Sequence, residues 1–137
     1  MQIRWDCDVL NTEKKLILSD HPVCLFVLPV DDLIGYCWFW PITENQLFVA
    51  ATRNTFTIER RELDDLETKS VNHFTARDTN LWLMSRDDFT KDQVQYYDNL
   101  WKNNAPLNST FTDHEWHHGA YHLPDFTDKF PFIKSRE

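Results

Sequence analysis

Glycine is scarce in this sequence, since only Gly35 and Gly119 occur among 137 residues. Glycine makes up about 7% of an average protein. The phosphate-binding loops of P-loop and dinucleotide-binding folds need several glycines at fixed offsets, because the backbone there must approach the phosphates closely. Two isolated glycines therefore exclude nucleotide binding by loops of either type.

Cysteines and long apolar runs are also few. The three cysteines form no CxxC pair, and an odd number without framework spacing is typical of buried thiols in a reducing compartment. The longest apolar run, residues 23 to 30, contains Pro29 and is too short to span a bilayer. The first ten residues lack the basic and apolar regions of a secretory signal. These absences predict a cytoplasmic protein without a membrane contact.

Basic side chains are outnumbered, with 14 Lys and Arg against 22 Asp and Glu for a formal charge of -8. Residues 16 to 52 contain no Lys or Arg at all. Phosphate backbones and anionic lipids repel such a chain at long range. We therefore expect no direct binding to nucleic acid, and a basic protein is the favoured kind of partner.

Core-forming residues are plentiful, at 42% hydrophobic and 15% aromatic, so we expect one domain over residues 1–137. Alternating or continuous apolar patterns predict strands in the N-terminal half. We expect the first two to form one hairpin and residues 33 to 52 to form another. The predicted strands cover residues 2–10, 16–18, 23–28, 33–40, 47–52, 55–61 and 80–85.

Helical patterns follow in the C-terminal half. The acidic stretch from residue 62 predicts a short helix through the spacing of its leucines. Thr90 and Gln93 fit a capping box that opens an amphipathic helix ending near Asn103, followed by a loop over residues 105–112. The tail is expected to be extended and anchored by Phe126, Phe130, Phe132 and Ile133. The sequence thus predicts an α+β domain with a largely antiparallel N-terminal meander and two or three C-terminal helices.

Four of the six histidines lie in residues 114 to 122, which begin with an HExxH motif. If residues 113 to 119 are helical, His114 and His118 lie one turn apart and can chelate zinc, with Glu115 as general base on the bound water. His122 is the candidate third ligand, and the alternatives are Asp125, Asp128, His73 and His21 if the fold brings them to the site. The motif therefore predicts a zinc-dependent hydrolase or a metal-binding protein as an alternative function.

The surroundings of this motif argue against catalysis. Gly119 directly follows the second histidine and favours a helix end. His122 joins the same helix face only if the helix continues through that glycine. Short motifs of this kind also arise by chance. We therefore expect no cofactor, and zinc is the alternative.

Four carboxylates lie within six positions at Glu62, Asp64, Asp65 and Glu67. The ordinary interpretation is a solvated helix face. The functional interpretation is a surface that presents carboxylates to the Arg and Lys side chains of a partner. These four residues are the candidate partner-binding site.

Aromatic residues are the last prominent feature. Tyr36, Trp38 and Trp40 share one face of a predicted strand, and aromatics at a period of two are typical of a core. Trp82 and Trp101 are also predicted to lie in the core.

Together these patterns predict a small, acidic, cytoplasmic, non-catalytic binding protein, namely an inhibitor, immunity or regulatory protein that docks a basic partner. The HExxH hydrolase remains the alternative. A domain that binds an apolar ligand among its aromatics is a third possibility.

Overall fold

The computed structural model describes residues 4–20, 23–77, 82–109, 116–117, 120–121 and 126–136. Within them the elements are, in order, β1 (Trp5–Asn11), β2 (Leu18–Ser19), β3 (Cys24–Val30), β4 (Leu33–Thr43), β5 (Gln46–Thr52), β6 (Phe56–Ile58), α1 (Asp65–Arg77), β7 (Leu83–Met84), α2 (Lys91–Ser109), β8 (Trp116–His117), β9 (Ala120–Tyr121), α3 (Phe126–Lys129) and β10 (Ile133–Ser135).

The largest sheet has the strand order β1-β5-β4-β3-β9-β8. Strands β3, β4 and β5 form an antiparallel meander, and β1 pairs antiparallel with β5 on its free side. The short β9 runs parallel to β3, where Tyr121 lies opposite Phe26. The predicted α+β class is confirmed, because an antiparallel four-stranded sheet fills the N-terminal half and the helices lie mostly C-terminal.

The two predicted hairpins have different outcomes. Strands β4 and β5 confirm the hairpin over residues 33 to 52, although β4 continues through Pro41 to Thr43 with an irregular register. The predicted first hairpin is wrong, because β2 pairs with β7 instead of β1. The segment before β2 bonds elsewhere: Leu16 N donates to Glu44 O at 2.7 Å and Ile17 N to Asn72 Oδ1 at 2.9 Å.

The amphipathic helix begins as predicted. Thr90 N donates to Gln93 Oε1 at 2.9 Å, and Gln93 N donates to Thr90 Oγ1 at 3.1 Å, which is the reciprocal capping box. The expected end is wrong, because α2 continues through Pro106 to Ser109. A proline has a helix-compatible φ, so the chain can continue there at the cost of a backbone hydrogen bond.

The C-terminal tail is more regular than expected, because it forms α3 and β10 where the sequence predicted an irregular extended segment. Its role as an anchor is confirmed. Phe126, Phe130, Phe132 and Ile133 are all fully buried.

The core lies between the inner face of the sheet, α1 and the tail. Phe26 is central to it, with ring centroids 5.0 Å from Phe126 and 5.1 Å from Phe74. Gly35 lies on the same inner face, where a Cβ would come within 2.6 Å of Thr55 Oγ1 and closer still to the Phe56 ring. Only glycine therefore lets β4 approach β6 this closely.

One buried carboxylate joins α1 to the tail. Glu67 is fully buried, and its oxygens accept hydrogen bonds from Arg61 Nη1 at 2.7 Å and Nη2 at 3.0 Å. Asp64 N at 3.0 Å and Phe132 N at 2.8 Å also donate to it. Four donors compensate for the loss of water around the charge, and the carboxylate raises the pKa of the Arg61 guanidinium in turn.

We expect Glu67→Ala to lower the free energy of unfolding by about 2–4 kcal/mol, because it leaves the buried amide of Phe132 without an acceptor and opens a cavity in the core. Urea unfolding followed by tryptophan fluorescence measures this loss. Glu67→Gln, which keeps the size and loses the charge, serves if the alanine variant does not fold.

Asp65→Ala is the matched control, because that neighbouring carboxylate is exposed and its nearest cations are about 4 Å away. We expect it to cost less than about 1 kcal/mol. Equal losses in the two alanine variants would contradict the role given to Glu67.

Candidate functional site

The structure corrects the helix that the HExxH motif requires. Trp116 and His117 form β8, which pairs antiparallel with β9, so a continuous helix over residues 113 to 119 is wrong at these two positions. The expected zinc ligands and base lie outside the described residues and stay a prediction; they are His114, Glu115, His118 and His122. Within the described ranges, no group of three or more His, Cys, Asp or Glu side chains could hold a metal ion.

The side chains of the acidic segment interact largely with other residues of the same chain. Asp64 caps α1, because its Oδ1 accepts a hydrogen bond from Glu67 N at 2.8 Å. Asp65 lies 4.0 Å from Lys14 and 3.9 Å from Lys69. Glu62, Asp64 and Asp65 are exposed, whereas the interpretation of Glu67 as a partner-binding residue is corrected by its burial. The remaining three do not form the most distinctive surface of the molecule.

That surface is the outer face of the four-stranded sheet. Side chains alternate along each strand. Most of the inward ones pack in the core, whereas Asp6 and Asp8 of β1 form ion pairs with Arg60. None of the outward side chains is charged. We call this surface the outer face; it consists of Trp5, Cys7 and Val9 of β1, Phe48 and Ala50 of β5, Ile34, Tyr36, Trp38 and Trp40 of β4, and Leu25 and Val27 of β3.

The strand register brings these side chains into rows across the sheet. Ala50 lies opposite both Cys7 and Trp38, and Trp38 lies opposite Leu25. The Trp5 and Trp38 rings meet edge to face at 5.8 Å, which spans the intervening β5. Because Ala50 is small, the two tryptophans reach each other above it and leave it only 6% exposed.

Several large side chains of the outer face are nevertheless open to solvent. Trp38 is 42% exposed, Trp40 47%, Val9 40% and Ile34 57%. The predicted core positions of Trp38 and Trp40 are therefore wrong, and so is that of Trp82, which is 47% exposed. The side chain of Trp101 lies outside what the structure describes.

A two-sided apolar pattern explains this error. In residues 33 to 40 the alternate set, Cys37 and Phe39, is apolar as well. The pattern alone does not tell which face meets the core. The sequence did contain one indication of the exposed face. A strand with two apolar faces is typically packed on both sides.

The rim of the outer face is charged at one end of the sheet. Asp31 and Asp32 form the exposed two-residue loop between β3 and β4, and Asp31 has the positive φ of 54° that such tight hairpins require. The exposed Arg4 and Arg53 adjoin β1 and β5 at the same end. The acidic corner of the outer face, formed by Asp31 and Asp32, therefore lies next to β3 and β4, away from these two arginines.

A second candidate site lies between the helices. We call it the helix cleft; it is a cavity of about 300 Å³ lined by Lys69, Ser70, His73 and Phe74 of α1, Tyr96 of α2 and Lys129 of α3. It adjoins a wider groove of about 600 Å³ that shares Lys69 and Tyr96 and also contains Lys14 and Lys15.

A short hydrogen bond connects the two long helices in this cleft. His73 Nδ1 and Tyr96 Oη are 2.6 Å apart. Burial lowers the pKa of His73 below its ordinary 6.5, and the positive charges of Arg77 and Lys129 lower it further. Because burial and both charges act in the same direction, His73 is largely neutral at neutral pH.

This lowered pKa makes stability depend on pH. As the pH falls, the unfolded chain binds a proton at His73 near pH 6.5, whereas the folded chain binds it only at a lower pH. The neutral His73 therefore contributes its full stabilisation above pH 6.5. This stabilisation is lost as the pH falls from 6.5 to the pKa of the folded state. We expect a His73→Phe variant to lose less stability than the wild type between pH 8 and 5, measured by urea unfolding.

Proton NMR of the His73 ring checks the same point directly. We expect its titration midpoint to lie below 6.5. A midpoint at or above that value would contradict the effect of burial and of the neighbouring positive charges on His73.

No helix in the described part of the chain is long and apolar enough to cross a membrane. A comparison of the chain with protein-family models, curated proteins and solved structures found no match. The outer face and the helix cleft are therefore the two candidate sites of this chain.

Proposed function

We propose that this chain is a non-catalytic binding domain that docks a basic protein partner through its outer face. The supporting observation is the exposed, uncharged and aromatic surface of the four-stranded sheet. Contiguous apolar patches larger than a few hundred Å² are rare on monomeric proteins and typically mark interaction sites. Exposed charges, which normally protect such a surface from association, are missing from this one.

The size of the outer face fits the centre of an interface. Four strands about 4.8 Å apart with about seven residues each cover on the order of 400 Å² of flat surface. A standard interface buries about 800 Å² per partner, with an apolar centre and a polar rim. The outer face would supply the centre, and Trp38 and Trp40 are the residue type that most often dominates binding energy.

The charge distribution favours a basic partner over a second copy of the chain. Two copies with a formal charge of -8 each repel at long range, whereas a basic protein is attracted. Asp31 and Asp32 stand exposed at the corner of the outer face. We therefore assign the occupant as a protein with an apolar patch flanked by Lys or Arg side chains that meet this corner.

Replacing both exposed tryptophans, as Trp38→Asp with Trp40→Asp, should abolish docking, because charges would be buried against an apolar partner. The measurement is affinity capture from the source cells, with each captured protein compared quantitatively between variants. The control is Val94→Asp on α2, which places one negative charge at another exposed apolar site. Reversing the charge of the corner, as Asp31→Lys with Asp32→Lys, should weaken capture of the partner. The loss should be largest at low salt, where exposed charges are screened least.

The supporting result is a basic protein that the wild type and Val94→Asp retain, that the tryptophan variant loses, and that the Asp31→Lys, Asp32→Lys variant captures more weakly. A protein retained equally by all four chains would overturn the proposal. So would light scattering that shows a dimer of the wild type and a monomer of the tryptophan variant, because a second copy would then occupy the face.

Chemical labelling of the cysteines is an independent probe of the same surface. Cys7 lies exposed on the outer face, whereas Cys24 and Cys37 are buried, and burial raises the pKa of Cys37. Because the thiolate is the reactive form, we expect a maleimide to label Cys7 quickly and the other two only on unfolding. Peptide mass spectrometry resolves the three sites.

The bound partner should then protect Cys7 from the maleimide. Labelling of Cys7 at the same rate with and without a saturating captured partner would show that the partner binds elsewhere.

A further inference from the structure

We propose that the free edge of β1 binds an extended segment of the partner as an additional strand, with apolar side chains on the side of the outer face and basic side chains on the other side. This inference rests on the proposed function in one respect, because it takes the partner to be a basic protein. It adds the conformation of the bound segment and the backbone groups that hold it.

Strand β1 lies at one end of the largest sheet and pairs only with β5 in the part of the chain that the structure describes. An edge strand presents a row of backbone N–H and C=O groups to which a further strand can pair. Many proteins bind extended peptides in this way, with affinity from the backbone bonds and selectivity from alternate side chains. The register of β1 with β5 determines which of its backbone groups face the free edge.

The backbone groups of every second residue of β1 point away from β5. Opposite residues of antiparallel strands alternate between pairs that exchange backbone hydrogen bonds and pairs that do not. Arg53 N donates to Arg4 O at 2.9 Å, and this pair continues the register of β1 with β5. The even-numbered residues of β1 therefore bond to β5, whereas the N–H and C=O groups of Trp5, Cys7 and Val9 face the edge.

Two hydrogen bonds on the edge side support this assignment. Val9 N donates to the side chain of its neighbour, Asp8 Oδ1, at 2.8 Å. Leu63 N donates to Asn11 O at 2.8 Å, and residue 63 lies outside β5. Between these two positions and the start of the strand, Cys7 is exposed. Among the described residues, no backbone group bonds to Cys7 from the edge side.

The inward side chains beside the edge favour a basic segment. Asp6 and Asp8 share one guanidinium, because Arg60 Nη2 lies 2.8 Å from Asp6 Oδ1 and Arg60 Nε lies 2.9 Å from Asp8 Oδ2. Two carboxylates with a single cation leave a net negative charge at the edge. Lys or Arg side chains of an added strand would lie next to these carboxylates on the same side of the sheet and offset that charge.

The outward side chains favour apolar residues at the alternate positions of the segment. Trp5, Cys7 and Val9 belong to the outer face, and Val9 is 40% exposed. Apolar side chains of an added strand would pack beside them and widen the apolar surface by one row. The fitting segment therefore alternates basic and apolar residues.

A second copy of β1 does not meet this requirement. Antiparallel pairing of two β1 strands would bring Asp6 and Asp8 next to the same carboxylates of the copy, and like charges at opposite positions are destabilising. Charges that point inward from an edge strand are a known protection against such self-association. We therefore assign the edge to a different chain with basic residues.

The test uses a capped heptapeptide of alternating lysine and valine as the probe, at low salt. NMR follows the backbone amide signals of β1 while the peptide is added. We expect saturable shifts at Cys7 and Val9. Hydrogen exchange of the Cys7 amide should slow in the bound state, because its N–H then donates to the peptide. The amides of Asp6 and Asp8 already bond to β5 and should keep their exchange rates.

Two further peptides separate strand pairing from charge attraction. A peptide with the same lysines and valines in separate blocks keeps the charge and loses the alternation, so we expect about tenfold weaker binding. A peptide with threonine in place of lysine keeps the alternation and loses the charge, and we again expect about tenfold weaker binding. Equal affinity for the block peptide would overturn strand addition, and equal affinity for the threonine peptide would overturn the basic assignment.

Cys7→Pro removes one outward N–H and leaves the β1–β5 bonds in place, because proline is tolerated in an edge strand where its nitrogen faces solvent. We expect the alternating peptide to bind about fivefold more weakly or worse. Cys7→Ala is the matched control, since it loses the thiol and keeps the N–H, and it should bind as the wild type does. Equal affinity in the two variants would overturn the edge site.

Urea unfolding verifies that the two variants have similar stability. If Cys7→Pro does not fold, hydrogen exchange of the wild type decides instead, and a Cys7 amide that exchanges equally fast with and without saturating peptide would overturn the edge site.

The edge site and docking through the outer face are tested separately. A basic partner that Cys7→Pro and Cys7→Ala capture equally, and that the tryptophan variant loses, would overturn strand addition and leave docking through the outer face intact. Peptide binding that Cys7→Pro loses, together with a partner that the tryptophan variant still captures, would support the edge site and overturn docking through the outer face.

Discussion

The buried carboxylate of Glu67 holds together parts of the chain that are far apart in sequence. Its four hydrogen bonds join the loop before α1, the first turn of α1 and the tail at Phe132. Burying a carboxylate removes its hydration, and the fold is destabilised unless hydrogen-bond donors replace the lost water. The position of the tail against the sheet therefore depends on this group as well as on its phenylalanines.

The tail covers the inner face of the sheet and leaves the outer face without a cover from the described residues. The inner face is filled by Phe126, Phe130 and Phe132 together with α1, while the outer face keeps its tryptophans in solvent. An apolar strand pattern on both faces is satisfied by covering both. In the described structure one cover comes from the chain itself, and we assign the other to a partner.

The two candidate sites divide the electrostatics of the molecule between them. The corner of the outer face at Asp31 and Asp32 belongs to a stretch without any Lys or Arg, and we assign this corner to the basic partner that we propose for that face. The helix cleft places Lys69 and Lys129 near His73, whose pKa is lowered by burial and by the positive charges of Arg77 and Lys129. A net charge of -8 describes the long-range field and says nothing about either site at short range.

Local patterns determined much of the architecture. The β4 and β5 hairpin, the capping box at Thr90 and the four tail anchors follow from period, turn chemistry and composition, which act between near neighbours in sequence. The pairing of β1 with β5 does not follow, because Leu16 and Ile17 bond to the β4–β5 turn and to α1 and leave the edge of β5 open for β1.

The candidate sites needed the tertiary structure. Sequence alone determined an acidic α+β domain rich in aromatics, because composition and period are properties of the chain itself. Only the fold decided that Glu67 is a buried support instead of a docking residue, and that Trp38 and Trp40 face solvent instead of the core. It also brought His73 to Tyr96 across the helices. The physical reason is that burial and pairing depend on what packs against a side chain, and those neighbours come from distant parts of the sequence.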